Sequence, residues 1–307
     1  MAKNKIVVVG SSNTDMIIRL DRIPRPGETL LGGELVVAAG GKGANQAVGA
    51  ARAGGQVTFI ARVGQDMFGE KAIQGFVEDG INVDYVMRDR RAASGVALIF
   101  VAKDGENSIA VASGANGRLS PADIRKAKTA FSGAQVLVMQ LETPLETVQA
   151  AAEIAARSGV RVILNPAPAR ALPNTLLRKV TFLTPNETEA QLLTGIKVRD
   201  AETASKAARI LLGKGVGHVI VTLGAKGALL ATPQETRMIA GFKVKPVDTT
   251  AAGDVFNGAL AVALCESKPL AEAVRFANAA GALSVTVMGA QPSAPARGKI
   301  DALLRRA

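Results

Sequence analysis

Residues 134–166 read AQVLVMQLETPLETVQAAAEIAARSGVRVILNP. A continuous apolar run, VLVM, precedes an Ala-rich segment of helical period that stops at Gly159, and a second apolar run, VIL, follows. Short unbroken apolar runs fit strands covered on both faces, and two of them joined through a helix form a parallel crossover. The same alternation recurs outward in both directions. KIVVVG precedes GANQAVGAARAG, VTFIARVG precedes GEKAIQGFVEDG, VTFLTPN leads into ETEAQLLTG, and HVIVTLG follows ETASKAARILLGKG. Gly80, Gly159 and Gly195 stand where helices stop. The expected fold is therefore α/β: three layers, α/β/α, with a mostly parallel central sheet.

Two regions break the alternation. Residues 13–38, NTDMIIRLDRIPRPGETLLGGELVVA, lack helical period and carry turn residues. Residues 94–114, SGVALIFVAKDGENSIAVASG, set Asp104-Gly105 between two alternating runs, the pattern of a hairpin. Strands from about 13–37 and 94–112 are expected to form a small second sheet on a single domain spanning residues 1–307. Such a sheet acts either as a lid over the strand ends with an apolar face for pairing, or as surface decoration.

Composition bounds the function. A chain of 307 residues with 48% hydrophobic content buries a large core. Its longest apolar runs fall well short of 18 residues, so no membrane span is expected. MAKNKIVVVG has a charged start and a short apolar run, a buried first strand rather than a signal peptide. The single cysteine, Cys265, excludes an internal disulfide and suits a cytoplasmic setting. The single histidine, His218, supports neither a metal cluster nor a Ser-His pair. A net charge of +11 raises nucleic acid as a partner, but the basic residues are scattered and aromatics are only 3%. A basic chain acting on an anionic small molecule is the better account.

Ligands of open parallel sheets bind beyond the carboxyl ends of the strands. Asn13 and Asp15 follow the first strand, Glu142 follows AQVLVMQ, and Asn186 and Glu189 follow VTFLT. The last pair also fits a helix capping box. GGKGANQA is neither a dinucleotide nor a Walker fingerprint, yet Gly40, Gly41 and Gly43 ahead of an Ala-rich helix permit close backbone approach, with Asn45 available to hydroxyls. In DTTAAGDVFNG, Asp248 to Gly258, small residues at 251–253 precede an acid at the start of a helix. Helix N-termini offer free amides and partial positive charge to phosphate, and Asp254 there can accept a proton from an attacking hydroxyl. As a dipole partner alone Asp254 is worth roughly 0.3–1 kcal/mol; as a positioned base it is worth roughly 10²–10⁴ in rate.

GGKGANQA and DTTAAGDVFNGAL together resemble the two signatures of the ribokinase-like (PfkB) carbohydrate kinases. GSSNTD, RPGET, SGVALIFV, GENSIAV, MQLETPLE, NPAPAR, TPNETEA, VTLGAKG and GAQPSAP extend the likeness from Lys5 to the C-terminus, toward the ribose-phosphorylating branch. The resemblance implies ATP-dependent phosphorylation of D-ribose at its 5-hydroxyl. It places Asn13, Asp15, Gly41, Lys42, Gly43, Asn45 and Glu142 on the sugar, with Asp254 as base. It assigns Asn186, Glu189 and the loop Thr222, Leu223, Gly224, Ala225, Lys226 and Gly227 to ATP and its Mg2+, and sets Asn278 near the adenine. Ala252 and Gly253 belong by resemblance to an anion hole. Activation by a monovalent cation, K+, is implied too, at Asp248, Thr250, Ser284, Val287, Gly289 and Ser293, several through backbone carbonyls. Oxygen ligands suit such a hard ion. A homodimer through the lid is the implied assembly.

The residues themselves favour an uncharged sugar, because Asp15 and Glu142 suit hydroxyls and repel a substrate already carrying phosphate. The arginines of IIRLDRIPR leave an acidic ketodeoxy sugar open. Another pentose, deoxyribose or a nucleoside also stays open, although the only Tyr or Trp for a base slot is Tyr85. A binding regulator on a retired kinase scaffold is the alternative outside enzymes, and the intact Asp254 speaks against it.

Overall fold

The computed structural model describes residues 4–306; residues 1–3 and 307, the two ends of the expected 1–307 domain, lie outside them. The first strand, β1 (Lys5–Val9), is an interior strand of a nine-stranded sheet. Its side chains alternate between two cores, Ile6 and Val8 on one face and Val7 and Val9 on the other. A strand covered on both faces has no polar side to present, which is why its sequence reads as an unbroken apolar run.

After β1 the chain leaves the large sheet. β2 (Asn13–Leu20) and β3 (Glu34–Gly40) pair antiparallel and lead into α1 (Lys42–Arg52). The chain returns through β4 (Gln56–Gly64), α2 (Met67–Glu78) and β5 (Asn82–Asp89). It leaves once more for the hairpin β6 (Gly95–Ala102) and β7 (Asn107–Ala112). Gly105 takes φ +90° in the hairpin turn, a value that favours glycine. These four strands make a separate sheet in the order β3-β2-β6-β7.

The second half is regular. α3 (Pro121–Lys126) precedes β8 (Val136–Met139), α4 (Leu145–Arg157) and β9 (Arg161–Leu164). Then come α5 (Asn174–Leu177), β10 (Phe182–Leu183), α6 (Glu187–Thr194), α7 (Ala201–Gly213) and β11 (His218–Thr222). The stretch at 134–166 folds as the β8–α4–β9 unit its pattern implies. β12 (Gly227–Ala231) and β13 (Thr236–Ala240) add an antiparallel edge. The large sheet runs β13-β12-β11-β10-β9-β8-β1-β4-β5, and three-layer α/β/α with a smaller separate sheet is the observed architecture.

Three helices close the chain: α8 (Ala252–Cys265), α9 (Leu270–Ser284) and α10 (Arg297–Arg306). From Asp254 to Cys265 every residue of α8 is buried, so this mostly apolar helix is enclosed on all sides. It crosses α1 at glycine. A Cβ on Gly258 would come 2.6 Å from the Ala50 amide and 2.7 Å from the Gln46 carbonyl oxygen. Backbone-to-backbone packing at that crossing brings Asn45 and Gln46 of α1 against Asp254. Among the described residues no helix is long and apolar enough to cross a membrane.

Candidate active site

The strands of the parallel sheet end together, and the polar residues that follow them gather at that edge. Gly41, at φ +89°, turns the chain from β3 into α1; a Cβ there would lie 2.7 Å from the Asn13 amide. A Cβ on Gly43 would lie 2.4 Å from the Ser11 amide. The close approach these glycines permit is thus to the end of β1 itself, and it seats the start of α1 on residues 10–13. Glu142 bridges the same place, accepting from the Ser11 hydroxyl and from the Lys42 amide at 3.0 Å. The Asn13 side-chain oxygen accepts from Asn116 Nδ2 at 2.7 Å. The Asp15 carboxyl sits against Gly40 in β3. Burial first, then the charges of Glu142 and Asp254, push its pKa up to about 6.

Asp254 lies in the first turn of α8 and is 5% exposed. Its carboxylate accepts from Asn45 Nδ2 at 3.1 Å and from Gln46 Nε2 at 2.9 Å. Burial pushes its pKa up, against the opposing pull of the Lys42 ammonium and the two amides. The Lys42 ammonium is held charged chiefly by Asp254, and secondarily by Glu142 and Glu189. The chain enters α8 through Ala251 at φ +59°, a left-handed conformation that costs a non-glycine residue roughly 1 kcal/mol. That turn leaves the helix without a side-chain cap. Among the described residues no acceptor meets the amides of Gly253 or Asp254.

Ala252 and Gly253, at the start of the same helix, lie in the wall of a cavity of about 720 Å³. Asn186, Thr222, Gly224, Ala225, Gly227, Ala252, Gly253 and Asn278 line it, with apolar walls from Phe242, Val244, Phe256 and Val285. A Cβ on Gly253 would meet no atom within 4 Å, so any side chain there projects into open space. Asn278 gives both Nδ2 hydrogens to the carbonyls of Ile239 and Ala240, at 3.1 and 3.2 Å, leaving its oxygen to the cavity. Asn186 and Glu189 form the capping box of α6, each side chain bonded to the other's backbone. Burial raises the Glu189 pKa. Two members of the 222–227 loop stand apart: Leu223 packs its side chain into the core, and Lys226 directs its ammonium to the Arg199 carbonyl at 3.5 Å. A second cavity, about 950 Å³, opens on the other side, between the small sheet and residues 247–250 and 288–292, with Asp15 in its wall.

Unpaired amides at a helix start, a buried acid in the same turn and further carboxylates near it are parts that phosphoryl transfer can use. The chain matches the pfkB family of carbohydrate kinases over residues 3–297. The chain belongs to that family. The ribokinase of Haemophilus influenzae is 47% identical over 295 residues, 96% of each chain. A deoxyribokinase of Salmonella typhi is 42% identical over 94% of this chain and 95% of its own. The structure of Arabidopsis thaliana ribokinase complexed with ribose and ATP superposes with a TM-score of 0.93, covers 99% of both chains and is 36% identical.

Beside the kinase's α8, residues 247–250 and 285–289 meet. The amides of Val247 and Asp248 both donate to the Val285 carbonyl. The Asp248 carboxylate accepts from the Thr250 amide at 2.9 Å and the Gly289 amide at 2.8 Å, and these bonds help hold its pKa below the ordinary value against burial. Ser284 and Ser293 donate their hydroxyls to Gly281 and Ala290 carbonyls. Val287 is partly exposed on the same loop. Asp248, Thr250 and Gly289 are joined directly, and the donor atoms these residues offer are oxygens, the type that suits a hard cation.

Sequence reading missed the layer behind the kinase's site. Ser11, Gln46, Asn116, Gln140, Asn165, Thr184 and Asn257 are all buried and all hydrogen-bonded around it. A signal existed for several of them. Gln46 lies inside GGKGANQA, Asn165 ends the RVIL strand, and Asn257 follows Asp254 by three positions.

Proposed function

We propose that this carbohydrate kinase transfers the γ-phosphoryl group of ATP to the 5-hydroxyl of D-ribose, giving D-ribose 5-phosphate and ADP. The observation that carries the proposal is the position of Asp254, buried in the helix turn whose amides at 253 and 254 are unpaired, with the carboxylates of Asp15 and Glu142 near it. The nucleotide occupies the 720 Å³ cavity, with its phosphates over Ala252 and Gly253 and its base near the Asn278 oxygen. Asn186 and Glu189 serve the Mg2+ that accompanies ATP, which supplies charge neutralisation at the phosphates. The sugar lies among Asn13, Asp15, Gly41, Lys42, Gly43, Asn45 and Glu142, whose acceptors suit its hydroxyls.

In the step itself, Asp254 takes the hydroxyl proton as the sugar oxygen forms its bond to the γ-phosphorus. The bond from that phosphorus to the ADP oxygen breaks, and ADP leaves with the electron pair. The amides of Gly253 and Asp254 face the charge that develops on the transferring group, in a place where no water reorganisation is needed. Asp248, Thr250, Ser284, Val287, Gly289 and Ser293 would hold potassium beside the loop that enters α8, where the ion would supply positive charge. The small sheet serves as a lid over the sugar, and its exposed Leu35, Leu98, Ile109 and Val111 form the contact of a homodimer.

A second substrate, deoxyribose, is favoured by the deoxyribokinase relative. Coupled ADP release with ribose, deoxyribose, other pentoses and adenosine, with and without potassium, tests the assignment. Ribose is expected to give the highest kcat/KM, and potassium to raise kcat. A site built to bond the 2-hydroxyl rejects the sugar lacking it. Equal kcat/KM for ribose and deoxyribose overturns the choice of ribose.

A further inference from the structure

Gln46 is fully buried and makes three hydrogen bonds to side chains, none of them to a group expected to touch a ligand except Asp254. Its orientation follows from its neighbours. Asn165 donates its amide nitrogen to the Thr184 carbonyl at 3.3 Å, so its oxygen turns toward Gln46. The ionised Asp254 carboxylate can only accept. Two fixed acceptors therefore compel Gln46 to present its nitrogen to both, at 3.1 Å to Asn165 Oδ1 and 2.9 Å to Asp254 Oδ1. The Gln46 oxygen is left pointing at Gln140, which donates to it at 2.6 Å.

The chain Gln140 to Gln46 to Asp254 thus has one direction, and it carries a cost. The Gln140 oxygen is buried with no partner. It lies against Gly10, where a Cβ would approach it to 2.1 Å. A buried carbonyl without a donor is rare, and its survival needs a reason. A second arm leaves the same cluster: Thr184 donates to Asn257 Oδ1 at 2.7 Å, and Asn257 Nδ2 donates to the Gly253 carbonyl at 2.7 Å. The network joins the ends of β8, β9 and β10 to both residues 253 and 254.

We infer that Gln46, set by Gln140 and Asn165, is the positioning residue for the Asp254 carboxylate, holding it in one orientation toward the sugar hydroxyl and keeping it ready to accept a proton. This deepens the assignment of Asp254 as base and rests on it. The groups that face Asp254 from the packed elements are Lys42 and Asn45 on α1, Glu142 after β8, Asp15 on β2 and Glu189 on α6. Three of the four charged neighbours are acids and favour the protonated form, so the neutral donors matter to the ionised one.

The test is Gln46→Met, which keeps the side-chain length and removes the donor, and Gln140→Met, which leaves Asp254 untouched. Two readouts are taken: the pH profile of kcat, and the titration of Asp254 followed by the 13C signal of its labelled carboxyl. For Gln46→Met the acidic limb and the carboxyl titration are both expected to move up by about one pH unit, with kcat down about tenfold at neutral pH and the ribose KM within twofold. Gln140→Met is expected to shift both in the same sense by less. If kcat falls in Gln46→Met while the limb and the 13C titration stay put, the residue is merely structural and the inference is overturned. If Gln46→Met does not fold, an unmoved titration in Gln140→Met overturns it equally. Asp254→Asn separates the two layers: full turnover there removes the base, whereas the 13C shift still reports whether Gln46 acts on the carboxyl.

Discussion

On one side of the head of α8 the cavity wall includes a run of small residues, Gly224, Ala225, Gly227, Ala252 and Gly253. On the other side charged side chains converge, with Asp15, Lys42 and Glu142 grouped about Asp254. On the proposed reading the first surface binds an anion through amides that any residue supplies, and so depends on chain path and on open space. On the same reading the second binds hydroxyls through particular side chains, and so depends on their identity and protonation. Substitutions on the two sides should therefore fail differently.

Asp254→Asn removes the proton acceptor where the two sides meet. Steady-state kinetics are expected to show kcat lower by roughly 10²–10⁴, while calorimetry finds ribose still bound. Turnover close to the parent's would break the comparison at its centre. Gly253→Val is expected to act next in size, placing an isopropyl group in the cavity and weakening ATP by roughly 10² in kcat/KM, with ribose affinity unchanged. Equal loss toward both substrates would mean that the two cavities are not separately built.

Asp15→Asn is expected to raise the ribose KM by about tenfold and leave the ATP KM alone. The parent's ribose KM should rise as pH falls through about 6, where Asp15 gains its proton, and the variant's should not. The stability effect has the opposite sign. An acid whose folded pKa is raised stabilises the fold where it is protonated and loses that contribution as pH rises through the folded value. The variant is therefore expected to be more stable than the parent at pH 7.5, by about 1–3 kcal/mol in denaturant unfolding. Lys226→Ala should be smallest, under about twofold in the ATP KM, because its ammonium leaves the cavity for the Arg199 carbonyl. A loss beyond tenfold would show that a side chain, and not only backbone, governs that wall.

Much of this was legible before any coordinates. The apolar runs at β1, β8 and β11 announce strands buried on both faces, and Gly80, Gly159 and Gly195, all at positive φ, stop the helices before them. Asp104-Gly105 fixes the hairpin of the small sheet. The residues at the strand ends are visible because an open parallel sheet has only one edge where ligands bind. Less visible were β5, β12 and β13. Their sequences alternate weakly, and β12 and β13 pair antiparallel at an edge, so no helix marks the connection between them.

The amino-acid order alone determined the alternation, the turn residues and the chemical types set at each strand end, because backbone preferences and burial periods act over a few residues. Only the tertiary structure decided which amides at α8 stay unpaired, how Gly258 seats α1 against that helix, and that Gln46, Gln140 and Asn165 stand behind Asp254. The packing of α1 and the layer behind Asp254 depend on contacts between residues 94 to 212 positions apart, and no local rule reaches across that distance.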